Sequence, residues 1–162
     1  YQATRMVQTI HVEGRDGRRT VPAEAFFLGD LTTAVEPGEM LAEVRFPAAM
    51  RRGVSIFLEA GTRQRDMTIA GVGAWFDRDG ERCREARIAA VGVGPTPVRL
   101  RRAEAAVVAD GLGGRAVAEA VREDIAAIDF VSDVHASAAF RAHLVVDLVG
   151  RAVAAAAEGA TG

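Results

Sequence analysis

Two stretches of this chain carry residue types able to do chemistry. Gly61-Thr-Arg-Gln-Arg-Asp-Met-Thr-Ile-Ala70 sets Arg63, Arg65 and Asp66 at the mouth of an apolar run. Further on, Ala89-Ala-Val-Gly-Val-Gly-Pro-Thr-Pro97 closes a strand-like segment with glycines and two prolines that forbid its continuation. Charge is thereby held at the edge of a sheet, where a ligand can be met. An ordinary solvated loop accounts for the same residues and stays open as the alternative.

The other constellations read more plainly. Ser132, Asp133 and His135 resemble the members of a hydrolase triad, but triads assemble from distant parts of a chain, and no Gly-x-Ser-x-Gly elbow is present. Ser132 or Asp133 as a cap ahead of a helix is the better reading. His11 and His143 are isolated; Asp147, four residues beyond His143, makes a solvated helical pair rather than a metal site. Cys83 is the single cysteine, which excludes an internal disulfide and any cysteine-rich metal or iron–sulfur site within this chain, and the expected compartment is the cytoplasm. Neither a Gly-x-Gly-x-x-Gly nor a Walker pattern occurs, and Gly111-Leu-Gly-Gly114 reads as a linker between helices.

The elements that must position these residues follow from periodicity. Met6 to Val12 alternates as a strand, and Glu13-Gly-Arg-Asp-Gly17 turns it into a second strand through Arg19 to Val21. Pro22 to Gly29 reads as one or two helical turns with a buried Phe26-Phe27 pair. Glu36-Pro-Gly-Glu39 leads into a strand from Met40 to Phe46, ended by Pro47, and a connector follows. Beyond it Val54 to Glu59, Thr68 to Phe76 and Arg84 to Val93 are strands, the last two joined by the Asp77-Arg-Asp-Gly80 hairpin signal. They predict an antiparallel sheet with one packed face.

Three helices are expected after it. The first spans Val98 to Ala109; the second carries Val117, Val121, Ile125 and Ile128; the third starts near Ala136 with Phe140, Leu144, Leu148 and Ala152 in one stripe. Strands followed by helices with single apolar faces make an α+β, two-layer sandwich: an antiparallel sheet of three to four strands under three helices. The expected division is residues 1–50 and 51–162.

Composition agrees with a globular chain: 162 residues, 49% hydrophobic and 26% charged, with a net charge of −2. Every basic residue is Arg, and Lys and Asn are absent, as a GC-rich coding sequence would give. Arg99, Arg101 and Arg102 are the one dense basic cluster and Glu104 follows at once, which argues against a nucleic-acid surface. No apolar run reaches the ~20 residues needed to cross a bilayer. Tyr1 in place of Met leads to the expectation that the sequence starts inside a longer protein.

Four blocks together carry a family resemblance: Arg63 and Asp66 before the apolar run, Gly92-Val-Gly-Pro-Thr-Pro97, Ala25-Phe-Phe-Leu-Gly29, and Ser132-Asp-Val-His-Ala-Ser-Ala-Ala-Phe-Arg-Ala-His-Leu144. The chain resembles the FAD-binding medium subunit of molybdenum hydroxylases, the group that contains carbon monoxide dehydrogenase and xanthine dehydrogenase. The resemblance implies that residues 1–50 are the tail of the FAD-binding domain and that 51–162 are the flavoprotein C-terminal domain. It implies an oxidoreductase subunit of bacterial type: electrons from [2Fe–2S] clusters in a small partner subunit, fed by a molybdenum-cofactor large subunit, pass through FAD to an acceptor. Asp66 and Met67 match positions near the isoalloxazine ring, with Arg63 beside them, and no residue of this chain acts on the substrate or binds a metal. Family glycine loops for the FAD pyrophosphate have no counterpart here, so the missing N-terminal part of that domain is an expected partner, and the chain alone is expected to be inactive. Where family members often have Arg, this chain has His135, which puts any ion pair from that position in question. The competing reading keeps the same fold as a noncatalytic assembly module.

Overall fold

The structure, a computed structural model, describes residues 9–46, 53–61, 68–79, 82–112 and 115–158. It divides into two compact units, residues 1–51 and 52–162.

In the first unit β1 (Thr9–Gly14) is flanked by β2 (Gly17–Pro22) and β5 (Met40–Arg45), both antiparallel to it. Alternation sends Ile10, Val12 and Val21 to one face, where they bury with Ala23 and Phe26. Gly17, at φ +112°, closes the tight β1–β2 turn, a conformation that suits glycine. Between β2 and β5, β3 (Phe27–Gly29) pairs with β4 (Thr32–Thr33). The helical turns expected over Pro22 to Gly29 shrink to one 3₁₀ turn, Ala23–Ala25. A single turn fixes backbone for little hydrogen bonding, and Phe27 gains ladder partners by extending. Phe26 is buried and Phe27 half-buried against it, edge to face at 5.0 Å.

The second unit builds an antiparallel sheet in the order β6 (Val54–Gly61), β7 (Thr68–Asp79), β8 (Arg82–Val91), β9 (Val98–Arg99). Three helices follow: α1 (Arg101–Asp110), α2 (Arg115–Ala126) and α3 (Ala138–Glu158). Ala70, Val72, Ala74 and Phe76 on β7 and Cys83, Ala86, Ile88 and Ala90 on β8 share one core with Leu100, Val107, Val117, Val121, Val145 and Leu148 from the helical layer. The fold is therefore the α+β two-layer sandwich that the strand and helix patterns predict. Among the described residues no helix is long and apolar enough to cross a membrane.

Four local expectations need correcting. The first helix starts at Arg101, because Val98 and Arg99 pair with Ala90 and Ala89 and give β8 backbone partners that an earlier helix would have withheld. β8 ends at Val91, where Gly92 adopts φ +72°. On α3 the buried stripe is Arg141, Val145, Leu148, Val149, Ala152, Val153 and Ala156, while Leu144 flanks it and Phe140 is 47% exposed. The helix is apolar on more than one face, and the sheet selects which face closes. Finally, the sheet is buried on both faces: Trp75, Ala89 and Val91, on the side away from the helices, are at most 4% exposed. Gly53 lies so close to the indole that an added Cβ would stand 2.2 Å from Trp75 Nε1.

Candidate functional site

The two sequence stretches converge on one end of the second unit's sheet. β6 ends and β7 begins with Gly61 opposite Thr68, and β8 leaves the sheet at Val91, opposite Gly71. Arg63, Arg65, Asp66 and Met67 themselves lie outside the described residues, between those two strand ends. The backbone on either side of the convergence is in close contact. A Cβ on Gly92 would meet the Ile69 carbonyl oxygen at 2.8 Å and that of Thr68 at 3.3 Å, so glycine is required there for space as well as for its positive φ. Thr68 donates its hydroxyl to Glu59 across the β6–β7 ladder at 2.8 Å.

One buried side chain joins these strand ends. Arg141, in the first turn of α3 and 4% exposed, donates through Nη1 to the carbonyl oxygens of Ile69 and of Gly92, the latter at 2.8 Å. Its Nη2 donates to Asp133 Oδ2 at 2.6 Å. The other Asp133 oxygen accepts the backbone N–H groups of Ala136 at 3.0 Å and His135 at 2.9 Å. Those N–H groups, with Arg141 behind them, hold the Asp133 carboxyl below the usual carboxylate range against the opposing effect of desolvation. The pair is thus ionic and internally neutral. Close by in the fold, Val131 N–H donates to Val93 O at 3.0 Å, tying the loop ahead of α3 to the bend after β8.

This geometry disposes of the triad reading. Asp133 serves the backbone turn and Arg141, and Ser132 Oγ accepts the N–H of Ala138 at 2.8 Å. The cap that begins α3 is Ser137, whose Oγ accepts Phe140 N–H at 3.2 Å and whose carbonyl accepts Arg141 N–H at 3.0 Å. Asp147 pairs with Arg151 at 3.6 Å, not with exposed His143. His11 is buried in the first unit, its Nδ1 3.0 Å from Thr20 Oγ1. Cys83 is buried, burial pushes its thiol pKa up, and its Sγ donates to Glu85 O at 3.2 Å, all of which suit a packed thiol. Among the described residues no group of three His, Cys, Asp or Glu could hold a metal ion.

Two buried acids, unlike the exposed Asp133, were not legible in the sequence. Glu104 Oε1 accepts Ile88 N–H at 2.8 Å and Arg99 Nε at 2.6 Å, with Arg99 Nη2 donating to Oε2 at 2.5 Å, so a carboxylate completes the β8 edge past the end of β9. Asp124 on α2 accepts Ala103 N–H at 3.0 Å and thereby caps α1 from the neighbouring helix. The signal for Arg141 was present as a charge inside the apolar 141–145–148–149–152 stripe; its partners were not legible.

Among the described residues the donors at the sheet end do not suit a pyrophosphate, because the Arg141 guanidinium is spent on two carbonyls and a carboxylate. What remains is Nε of Arg141, a buried N–H without a partner. That N–H is sealed from solvent, so Arg141 acts on the two strand ends and not directly on a ligand.

A family model described as the CO dehydrogenase flavoprotein C-terminal domain matches residues 55–156. The chain is 30% identical over 145 residues to the carbon monoxide dehydrogenase medium chain of Hydrogenophaga pseudoflava, covering 90% of this chain and 50% of that protein. It is 28% identical over 146 residues to the 6-hydroxypseudooxynicotine dehydrogenase complex subunit alpha of Paenarthrobacter nicotinovorans, covering 90% and 49%. Among solved structures, carbon monoxide dehydrogenase from Hydrogenophaga pseudoflava superposes with a TM-score of 0.87 at 30% identity over 95% of this chain and 54% of that one. Quinoline 2-oxidoreductase from Pseudomonas putida 86 superposes with a TM-score of 0.85 at 28% identity over 99% and 55%. The chain spans about half the length of the curated relatives it matches.

Proposed function

The chain belongs to the CO dehydrogenase flavoprotein C-terminal domain family, and from that premise we propose that it is the C-terminal half of the FAD-carrying subunit of a molybdenum hydroxylase complex. Residues 1–50 would be the tail of the FAD-binding domain and 51–162 the C-terminal domain. The N-terminal part of the FAD-binding domain, a molybdenum-cofactor large subunit and an iron–sulfur small subunit would complete the assembly in the cytoplasm. FAD, when bound, supplies an electron relay between the iron–sulfur clusters and an acceptor.

This chain's contribution is one wall of the site. Arg63, Asp66 and Met67 would stand against the ring: Met67 through dispersion from its polarizable sulfur, Asp66 through its charge near the ring nitrogens, and Arg63 through its charge at the rim. The observation that carries the reading is the convergence of Thr68–Ile69 and Gly92 at one sheet end, which brings together the flanks of the two most family-like stretches. Relatives whose names cite carbon monoxide, 6-hydroxypseudooxynicotine and quinoline share this domain at 28 to 30% identity. A part common to such different reactions suits electron carriage better than substrate choice.

The test is made in the intact complex. Asp66→Ala and Arg63→Glu are expected to change flavin occupancy or the rate of flavin reduction by substrate, while Arg122→Glu and Arg151→Glu, on exposed helix surface, leave both as they were. Equal effects from the two sets would place the cofactor elsewhere, and a complex without flavin would leave the domain as an assembly module.

A further inference from the structure

Arg141 is placed where it can set the geometry of the sheet end, because one side chain bonds the carbonyls of both strand ends. Its Nη1 bridges the carbonyl of Ile69, at the start of β7, and that of Gly92, just past β8, residues 72 and 49 positions away from it in sequence. Its Nη2 is held by Asp133, whose own carboxylate is fixed by two backbone N–H groups. A planar guanidinium with donors in a rigid fork can serve carbonyl, carbonyl and carboxylate at once; a lysine ammonium offers a point charge on a flexible stem and cannot match that plane.

We propose that Arg141, oriented by Asp133, is a positioning residue for the flavin: it fixes the backbone of Ile69 and Gly92 against which the ring is seated. The proposal rests on the functional reading above. It separates Arg141 from the other arginine tying β7 to α3, since Arg78 donates to the Ala156 carbonyl at 2.5 Å at the far end of the same strand and helix. Both residues brace one helix on one strand, so general stability should feel both. Only Arg141 stands at the end where the cofactor is proposed to lie.

The experiment compares Arg141→Lys, Asp133→Asn and Arg78→Lys in the intact complex. Three readouts are followed: retention of FAD on dilution, visible circular dichroism of bound flavin, and amide exchange at Thr68–Gly71 and Gly92–Gly94. Arg141→Lys is expected to weaken flavin retention by about tenfold, the scale of an outer-shell orienting residue, to alter the flavin dichroism and to speed exchange at those amides. Asp133→Asn should give the same changes in smaller measure, and Arg78→Lys should give none of the flavin changes at comparable thermal stability. Amide exchange unchanged in Arg141→Lys, or flavin properties that move equally with Arg78→Lys, would overturn the positioning role. A parent complex that holds no flavin overturns the functional reading and this proposal with it, whereas a flavin-bearing complex insensitive to Arg141→Lys overturns this proposal alone.

Discussion

Around Val12 in the first unit, five buried apolar side chains among the described residues make the core, and the polar face of the sheet is laced by arginines and glutamates. Around Ile88 in the second, twenty buried residues among those described close between sheet and helices, and the charges that enter the interior, Glu104, Asp124 and Arg141, each bond backbone groups. Arg19 illustrates the first arrangement: it forks onto Glu39 with two 2.7 Å bonds and reaches the Ala34 carbonyl, pinning the Glu36–Glu39 turn to β2. Glu104 illustrates the second, where one carboxylate replaces a missing strand. Burial of apolar area dominates where helices cover a sheet, whereas the short sheet relies on ion pairs whose worth depends on protonation and salt. The second unit should therefore respond to lost volume, and the first to lost charge.

The largest effect expected from that contrast is a cavity under α3. Leu148→Ala, at a residue 1% exposed, should cost about 2 to 5 kcal/mol in chemical denaturation of the second unit. A loss well below this would mean that the helical layer yields easily and that the two units differ less than their cores suggest.

Next in size are the buried acids. Glu104→Ala strands Ile88 N–H and removes a carboxylate bonded to Arg99, and should cost about 1 to 3 kcal/mol. Asp124→Ala, which uncaps α1, should cost about 0.5 to 2 kcal/mol. Both are read from the same denaturation series. If Glu104→Ala proves neutral, water replaces the carboxylate and the edge of β8 is less sealed than it looks.

The smallest effect, and the one confined to the first unit, follows pH. Bonding to Arg19 first, then to the Glu36 N–H, lowers the Glu39 pKa from 4.5 to about 2; Arg45 and then Arg18 do the same for Glu43. Groups with lowered folded-state pKa values contribute stability above about pH 4.5 that disappears as pH falls toward 2. Amide protection in β1 and β2, taken relative to intrinsic exchange at each pH, should fall across that window before protection in β7 and β8 does, and added salt should mimic part of the loss because these side chains are partly exposed. A simultaneous fall in both units would erase the distinction.

Much of this architecture was legible in residue order. Alternation marked β1, β7 and β8, glycines with positive φ closed the turns at Gly17 and ended α1 at Gly111, and charged or apolar spacing announced three helices. All these signals are local, set by the 2.0 and 3.6 periods and by the steric freedom of single residues. What tertiary structure alone decided was non-local. It turned Val98–Arg99 into an edge strand because β8 had backbone groups to satisfy, and it chose the Arg141–Val145–Leu148 face of an Ala- and Val-rich helix over the neighbouring Phe140–Leu144 one. It also chose partners for the buried charges. Periodicity can show that Arg141 interrupts an apolar stripe, but whether that charge is a defect or a clamp depends on carbonyls 72 and 49 residues away, brought to it only when the sheet and the helix close on one another.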